Sequence, residues 1–123
     1  MIRTLLLIGF GGGAGSILRY LTSVVTNKYF HGAFPLGTFI VNVAGCFVIG
    51  WLAGLFGRQP GYSDLRALFI TGFCGGYTTF STFSAENAQL FQSGNGSLAV
   101  VYIIASVLAG LAAVWVGMQA GRM

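Results

Sequence analysis

The stretch GGYTTFST, residues 75–82, decides how this chain folds. It sits inside an apolar run from about residue 65 to residue 91, where a lipid-facing helix would place Leu or Ile. Two adjacent glycines carry the largest backbone entropy cost of ordering, and the β-branched and hydroxylated residues after them are poor helix formers. The stretch therefore predicts a helix that loses its regular hydrogen-bond ladder between Gly75 and Thr79. Non-helical backbone at membrane depth is tolerated only where protein or an aqueous cavity satisfies its polar groups. Carbonyls freed there can bind a bare cation, and two half-helix ends add their dipoles. The hydroxyls of Thr78 and Thr79 offer further ligands or backbone partners, and a purely structural kink is the plainer alternative.

Composition sets the solvent around that break. Of 123 residues, 55% are hydrophobic and 7% charged, against about 25% charged in a soluble domain. The surroundings are mostly lipid, and a soluble enzyme is excluded. A membrane-spanning helix needs roughly 20 residues, and the chain resolves into four apolar stretches at about 2–25, 36–56, 65–91 and 98–118. The predicted fold class is all-α and integral to the membrane: four transmembrane helices, the third broken at mid-membrane, in a single domain over residues 1–123. Pro35 suits a helix start, and Arg58, Gln59, Pro60 and Gly61 supply a turn. Arg3, the first apolar run and Ala14, Gly15 and Ser16 mimic a cleaved signal peptide. The apolar pattern continues through Ile17, Leu18 and Leu21, so a retained span is expected.

The formal charge of +4 comes from residues scattered at Arg3, Arg19, Lys28, Arg58, Arg66 and Arg122. That spacing builds no basic patch, so nucleic acid is not expected as a partner. An even number of spans puts both ends of the chain on one side, which positive-inside counting makes cytoplasmic by only about two or three charges. Cys46 and Cys74 read as small apolar side chains. His31 stands in a loop without partnered Cys or carboxylates, so it marks neither a metal site nor a catalytic base.

Small and polar residues then define faces. Gly9 with Gly13, Gly11 with Gly15, Gly12 with Ser16 and Gly50 with Gly54 are small-xxx-small pairs, which predict tight helix packing. Asn42 is an amide in mid-span and must find partners. Thr38, Asn42 and Cys46 share one helix face, and Tyr102, Ser106 and Gly110 form a similar line on the last span. The two lines read as a polar path beside a narrow passage, or as interhelical hydrogen bonding. Arg19 is placed near the far end of the first helix, either snorkelling or drawing anions to a mouth. Glu86 is expected near a helix end, as a snorkelling or Arg-paired carboxylate. Phe80 and Phe83 are i,i+3 neighbours with Ser81, Thr82 and Ser84 as donors around them, and positive ring edges tolerate an anion.

Three stretches carry a family resemblance: GGGAGSILRY (11–20), GTFIVNVAGCFVIG (37–50) and GFCGGYTTFSTFSAE (72–86). With these the sequence resembles the small fluoride channel family, Fluc, also called CrcB or camphor-resistance proteins. The resemblance implies a passive fluoride-selective channel and no enzyme, in the inner membrane of a bacterial cell. It further implies an antiparallel, dual-topology homodimer with two fluoride pathways, whose partners are the fluoride ion, a second copy and membrane lipid. By the same resemblance Phe80 and Phe83 look like the aromatic pair flanking fluoride, and Asn42 like the residue that orients or hydrates it. Ser81, Thr82, Tyr102 and Ser106 look like the polar track, and Arg19 like a vestibule arginine. Gly75 and Thr78 look like the positions whose backbone carbonyls, from both subunits, hold a structural Na+ at the dimer centre. A small multidrug-type proton-coupled exporter, which needs a midplane carboxylate, and a non-transporting membrane scaffold are the alternatives.

Overall fold

The computed structural model describes residues 1–123. Helix α1 (Ile2–Tyr29) and helix α2 (Leu36–Phe56) are joined by an extended turn through Phe30, and α2 ends where Gly57 takes φ +60°. A 3-10 turn (Pro60–Tyr62) and the short helix α3 (Ser63–Leu65) lead into a π-helix (Arg66–Cys74). One further turn, α4 (Gly75–Tyr77), precedes two extended residues, after which the chain resumes as α5 (Phe80–Gln92). Gly94, at φ +84°, makes the turn into the last helix, α6 (Gly96–Arg122). Three helices, α1, α2 and α6, are long and apolar enough to cross a membrane. The chain is an integral, multi-pass membrane protein.

The break is narrower than the sequence predicts. Gly75 and Gly76 remain helical, and only Thr78 (φ −85°, ψ 159°) and Thr79 (φ −150°, ψ 120°) leave the helix. The π-helix before it has no signal in residue pattern. Helices α1 and α6 also run past their expected limits, to Tyr29 and Arg122.

Glycines set how the helices meet. A Cβ on Gly11 would strike the Leu68 carbonyl, one on Gly15 the Phe73 carbonyl, and one on Gly76 the Gly12 carbonyl. Helix α1 thus lies backbone to backbone against the π-helix and α4. A second seam joins α2 to α6, where Gly50 abuts Val114, Gly54 abuts Met118, Gly117 abuts Phe47 and Gly121 abuts Trp51. Small residues allow this approach, which maximises van der Waals contact where lipid removes the hydrophobic drive between helices. The pairs Gly11/Gly15 and Gly50/Gly54 pack as expected. Gly9 and Gly13 do not, since both face open space.

The interior is thin. Apart from Val41 and Ala67, its buried apolar residues form two small clusters, Leu52, Phe56 and Cys74 in one and Leu90, Ala99 and Tyr102 in the other. Large side chains such as Leu5, Phe10, Ile17, Leu108, Leu111 and Trp115 are exposed, a surface suited to lipid and costly in water. An ion pair between Arg3 and Asp64 (2.7 Å) places the start of α1 beside the start of α3, and Arg66 donates to the Gly57 carbonyl (3.2 Å) at the same end.

Gly15→Val and Gly117→Val are expected to destabilise the protein by more than the ~1–3 kcal/mol of ordinary overpacking, because backbone is the obstacle. Gly13→Ala should be neutral or stabilising. Thermal unfolding in detergent, with size-exclusion profiles, distinguishes these outcomes.

Candidate functional site

Leaving the helix at Thr78 and Thr79 exposes peptide groups that must be paired in an apolar medium. Thr78 turns back on its own helix, with its N–H (3.0 Å) and its hydroxyl (2.9 Å) both donating to the Cys74 carbonyl. Asn42, on α2, engages Thr79 twice. Its Nδ2 donates to the Thr79 carbonyl (3.1 Å), and its Oδ1 accepts from the Thr79 N–H (2.8 Å). Across the break on α1, Arg19 Nε donates to the Gly76 carbonyl (3.0 Å), and the hydroxyls of Thr22 and Tyr77 share a hydrogen bond (3.1 Å). Thr79 Oγ1 then caps α5 by accepting from the Thr82 N–H (3.2 Å), as N-cap threonines do. The missing side chain of Gly45 makes room for the Thr78 methyl.

The break opens onto a groove of ≈ 440 Å³, whose walls include Asn42, Cys46, Gly75, Thr78, Thr79 and Phe80. Gly76 and Thr79 have their carbonyls capped by Arg19 and Asn42. No side chain caps the carbonyls of Gly75 and Thr78, and both residues line the groove. A hard monovalent or divalent cation takes oxygen ligands, so this donor set fits sodium. No cluster of three or more His, Cys, Asp or Glu side chains exists anywhere in the chain, which leaves neutral oxygens as the donors on offer.

A second polar centre lies on α5. Glu86 accepts from Thr38 Oγ1 (2.7 Å) on α2 and from the Tyr102 hydroxyl (2.8 Å) on α6. The expectation for this residue is corrected. It occupies the middle of α5 and pairs with no arginine, because the helix restarts at the Thr79 cap and turns the carboxylate inward. Glu86 borders both a groove of ≈ 650 Å³ beside Pro35 and Gln89 and a smaller polar pocket of ≈ 180 Å³ beside Ser23, Asn27 and Thr38. It thus joins the two polar lines found in the sequence, which face each other. Their lower members also meet, since a Cβ on Gly110 would lie 3.4 Å from Cys46 Sγ.

The aromatic rings connect the centres. Phe83 packs on Tyr102 (centroids 4.9 Å, 57°), and Phe80 lies 6.0 Å from Phe83. Tyr102 is fully buried and also meets Phe34 edge-on, whereas Phe80 is 78% exposed and projects from the single chain. Ser81 and Thr82 are exposed beside Phe80, and no hydrogen bond joins them to Tyr102 or Ser106. Ser106 stands one turn beyond Tyr102, and its buried hydroxyl has no hydrogen-bond partner. An unsatisfied buried hydroxyl is costly, and this one is left with a hydrogen to donate. Arg19, expected near the end of α1, lies ten residues short of Tyr29 and is tied to the break.

The family described as CrcB-like protein, Camphor Resistance (CrcB), matches residues 6–118. The chain belongs to this family. It is 50% identical over 118 residues to the Fluoride-specific ion channel FluC of Flavobacterium psychrophilum, covering 95% of each chain. A protein of the same name from Azobacteroides pseudotrichonymphae is 47% identical over 118 residues, 95% of this chain and 94% of its own. Fluoride-specific ion channel FluC 1 of Brucella melitensis is 48% identical over 113 residues, 89% and 92% of the two. In this CrcB-like chain the matched region takes in both polar centres, the break, the first glycine seam and all of the second but Gly121.

Two donors on one carboxylate should act as a unit. Tyr102→Phe and Thr38→Val are each expected to cost about 1 kcal/mol, and the double variant more than the sum, because Glu86 is then left without a donor. Chemical denaturation of the four proteins in detergent measures the coupling.

Proposed function

We propose that this chain is the protomer of a fluoride-selective channel that exports fluoride by passive electrodiffusion across the bacterial inner membrane, and that it is not an enzyme. The observation that carries this reading is the near-full-length, 50% identity to a relative named a fluoride-specific ion channel. In the reading, the stretch from α3 to α5 is a fourth, broken crossing, and two copies insert antiparallel to form two pathways. The thin interior and the outward projection of Phe80 support it, because a second copy would cover surface that one chain leaves open.

Fluoride is a compact, strongly hydrated anion, so a passage must replace its water with hydrogen-bond donors. Ser106 offers a free hydroxyl at the buried end of the Tyr102 line, and Ser81 and Thr82 offer donors at the exposed start of α5. Phe80 and Phe83 form the wall between them, where ring edges are electropositive. Asn42 keeps one N–H and one lone pair beyond those spent on Thr79. Arg19 adds positive charge near the vestibule. A larger halide fits the narrow passage poorly and recovers less of its hydration.

The carbonyls of Gly75 and Thr78 would hold sodium, with the second copy supplying an equal set. When bound, the ion supplies positive charge to oppose the carbonyl dipoles gathered at the break. The protein's own part is to keep those two carbonyls beside the groove and out of the helical ladder.

Fluoride efflux from liposomes containing the purified protein, read with an ion-selective electrode, tests the reading, and chloride efflux should be far slower. Phe80→Ile and Phe83→Ile should lower fluoride flux without abolishing the dimer. Ser106→Ala should lower it about tenfold, the loss of one hydrogen bond to a charged species. Equal fluoride and chloride flux, or full flux in all three variants, would refute the pathway.

A further inference from the structure

We propose that Asn42 is a positioning residue for the broken helix: its amide acts as a one-residue strand against Thr79 and so decides which backbone carbonyls remain free for a cation. The inference rests on the reading of the break as the cation site and adds a cause for its geometry. In the extended conformation of Thr79 (φ −150°, ψ 120°), the N–H and C=O of the same residue point to one side, as in a paired residue of an antiparallel ladder. The Asn42 amide meets both, at 2.8 and 3.1 Å. A side-chain amide carries a donor and an acceptor with the spacing of a peptide. Of the polar side chains of α2, this is the one placed to do so.

The alternative state of the chain gives the clamp its consequence. Without Asn42, the Thr79 N–H is a part-buried donor that has lost its protein partner, and the nearest protein acceptor is reached by rewinding the helix. An α-helical N–H bonds to the carbonyl four residues back, which for Thr79 is that of Gly75. Rewinding would therefore consume one of the two carbonyls assigned to the cation. Arg19 does not compensate, because a guanidinium only donates and the Thr79 N–H needs an acceptor, while the Thr78 N–H and hydroxyl are turned back onto the Cys74 carbonyl. Asn42 thus holds Gly75 available by occupying Thr79, acting at one remove from the ion. Its unspent N–H and lone pair remain free, so positioning and fluoride contact are separable duties.

The test compares the unaltered protein with Asn42→Ala and Asn42→Asp in liposomes, with sodium titrated against N-methylglucamine. A parallel readout is the Thr79 ¹³Cα and ¹³Cβ chemical shifts by solid-state NMR, which separate extended from helical backbone. Asn42→Ala is expected to raise the sodium needed for half-maximal fluoride flux by about tenfold or more, as two hydrogen bonds are lost, and to move the Thr79 shifts toward helical values. Asn42→Asp, which keeps the acceptor for the Thr79 N–H, should hold those shifts extended. Loss of flux in Asn42→Ala with sodium requirement and Thr79 shifts unchanged would overturn the proposal and leave Asn42 as a fluoride contact alone. If Asn42→Ala does not fold, helical shifts in Asn42→Asp would overturn it instead. Should flux in the unaltered protein ignore sodium, the cation reading fails, while the Thr79 shifts still decide whether the clamp exists.

Discussion

In lipid, a peptide group without a partner costs several kcal/mol, and the two extended residues Thr78 and Thr79 put that cost at the centre of this protein. The rest of the structure answers it. Asn42 from one side and Arg19 from the other take up the groups that the lost helical ladder sets free. For those side chains to reach, α1 and α2 must lie close to the broken stretch, and the glycines at 11, 15 and 45 bring them there. Backbone irregularity, close helix approach and polar side chains in mid-span are one design seen at three levels.

That arrangement separates two chemistries along a short distance. On the groove side of the break the chain presents oxygen atoms, suited to a cation. Beyond it, α5 and α6 carry the hydroxyl groups and aromatic rings proposed above to serve a small anion. Glu86 lies between the openings with its charge directed onto Thr38 and Tyr102. A carboxylate that accepts two donors orders both helices that supply them and leaves Ser106 as the free donor next in line. Packing of Phe83 on Tyr102 ties the ring wall to the same network.

The fold was readable in the sequence where the physics is local. Composition, the lengths of the apolar runs and the glycine-threonine interruption each act within a few residues, and they gave the helical membrane class and the site of the break. The two polar lines were legible too, because helical periodicity fixes a face. What escaped depends on partners distant in the chain. Asn42 declared its need for a partner, but the partner is a peptide group 37 residues away, and a peptide bond has no sequence signature. Glu86 was misplaced because the restart of the helix at Thr79 resets the count of turns. The α6 glycines at 117 and 121 carried the same four-residue spacing as those on α2, and that spacing was the signal available for the second seam.

The order of the seams has a consequence for how the chain is made. The first helix closes on the third stretch, and the second on the last, so the pairings are interleaved and neither neighbour in sequence is the principal neighbour in space. A chain emerging into a bilayer therefore carries an open glycine face on α1 until α2 has already passed, and one on α2 until the final helix arrives. Neither half of this protein closes a seam by itself, so the close backbone packing forms only once segments distant in the chain have come together.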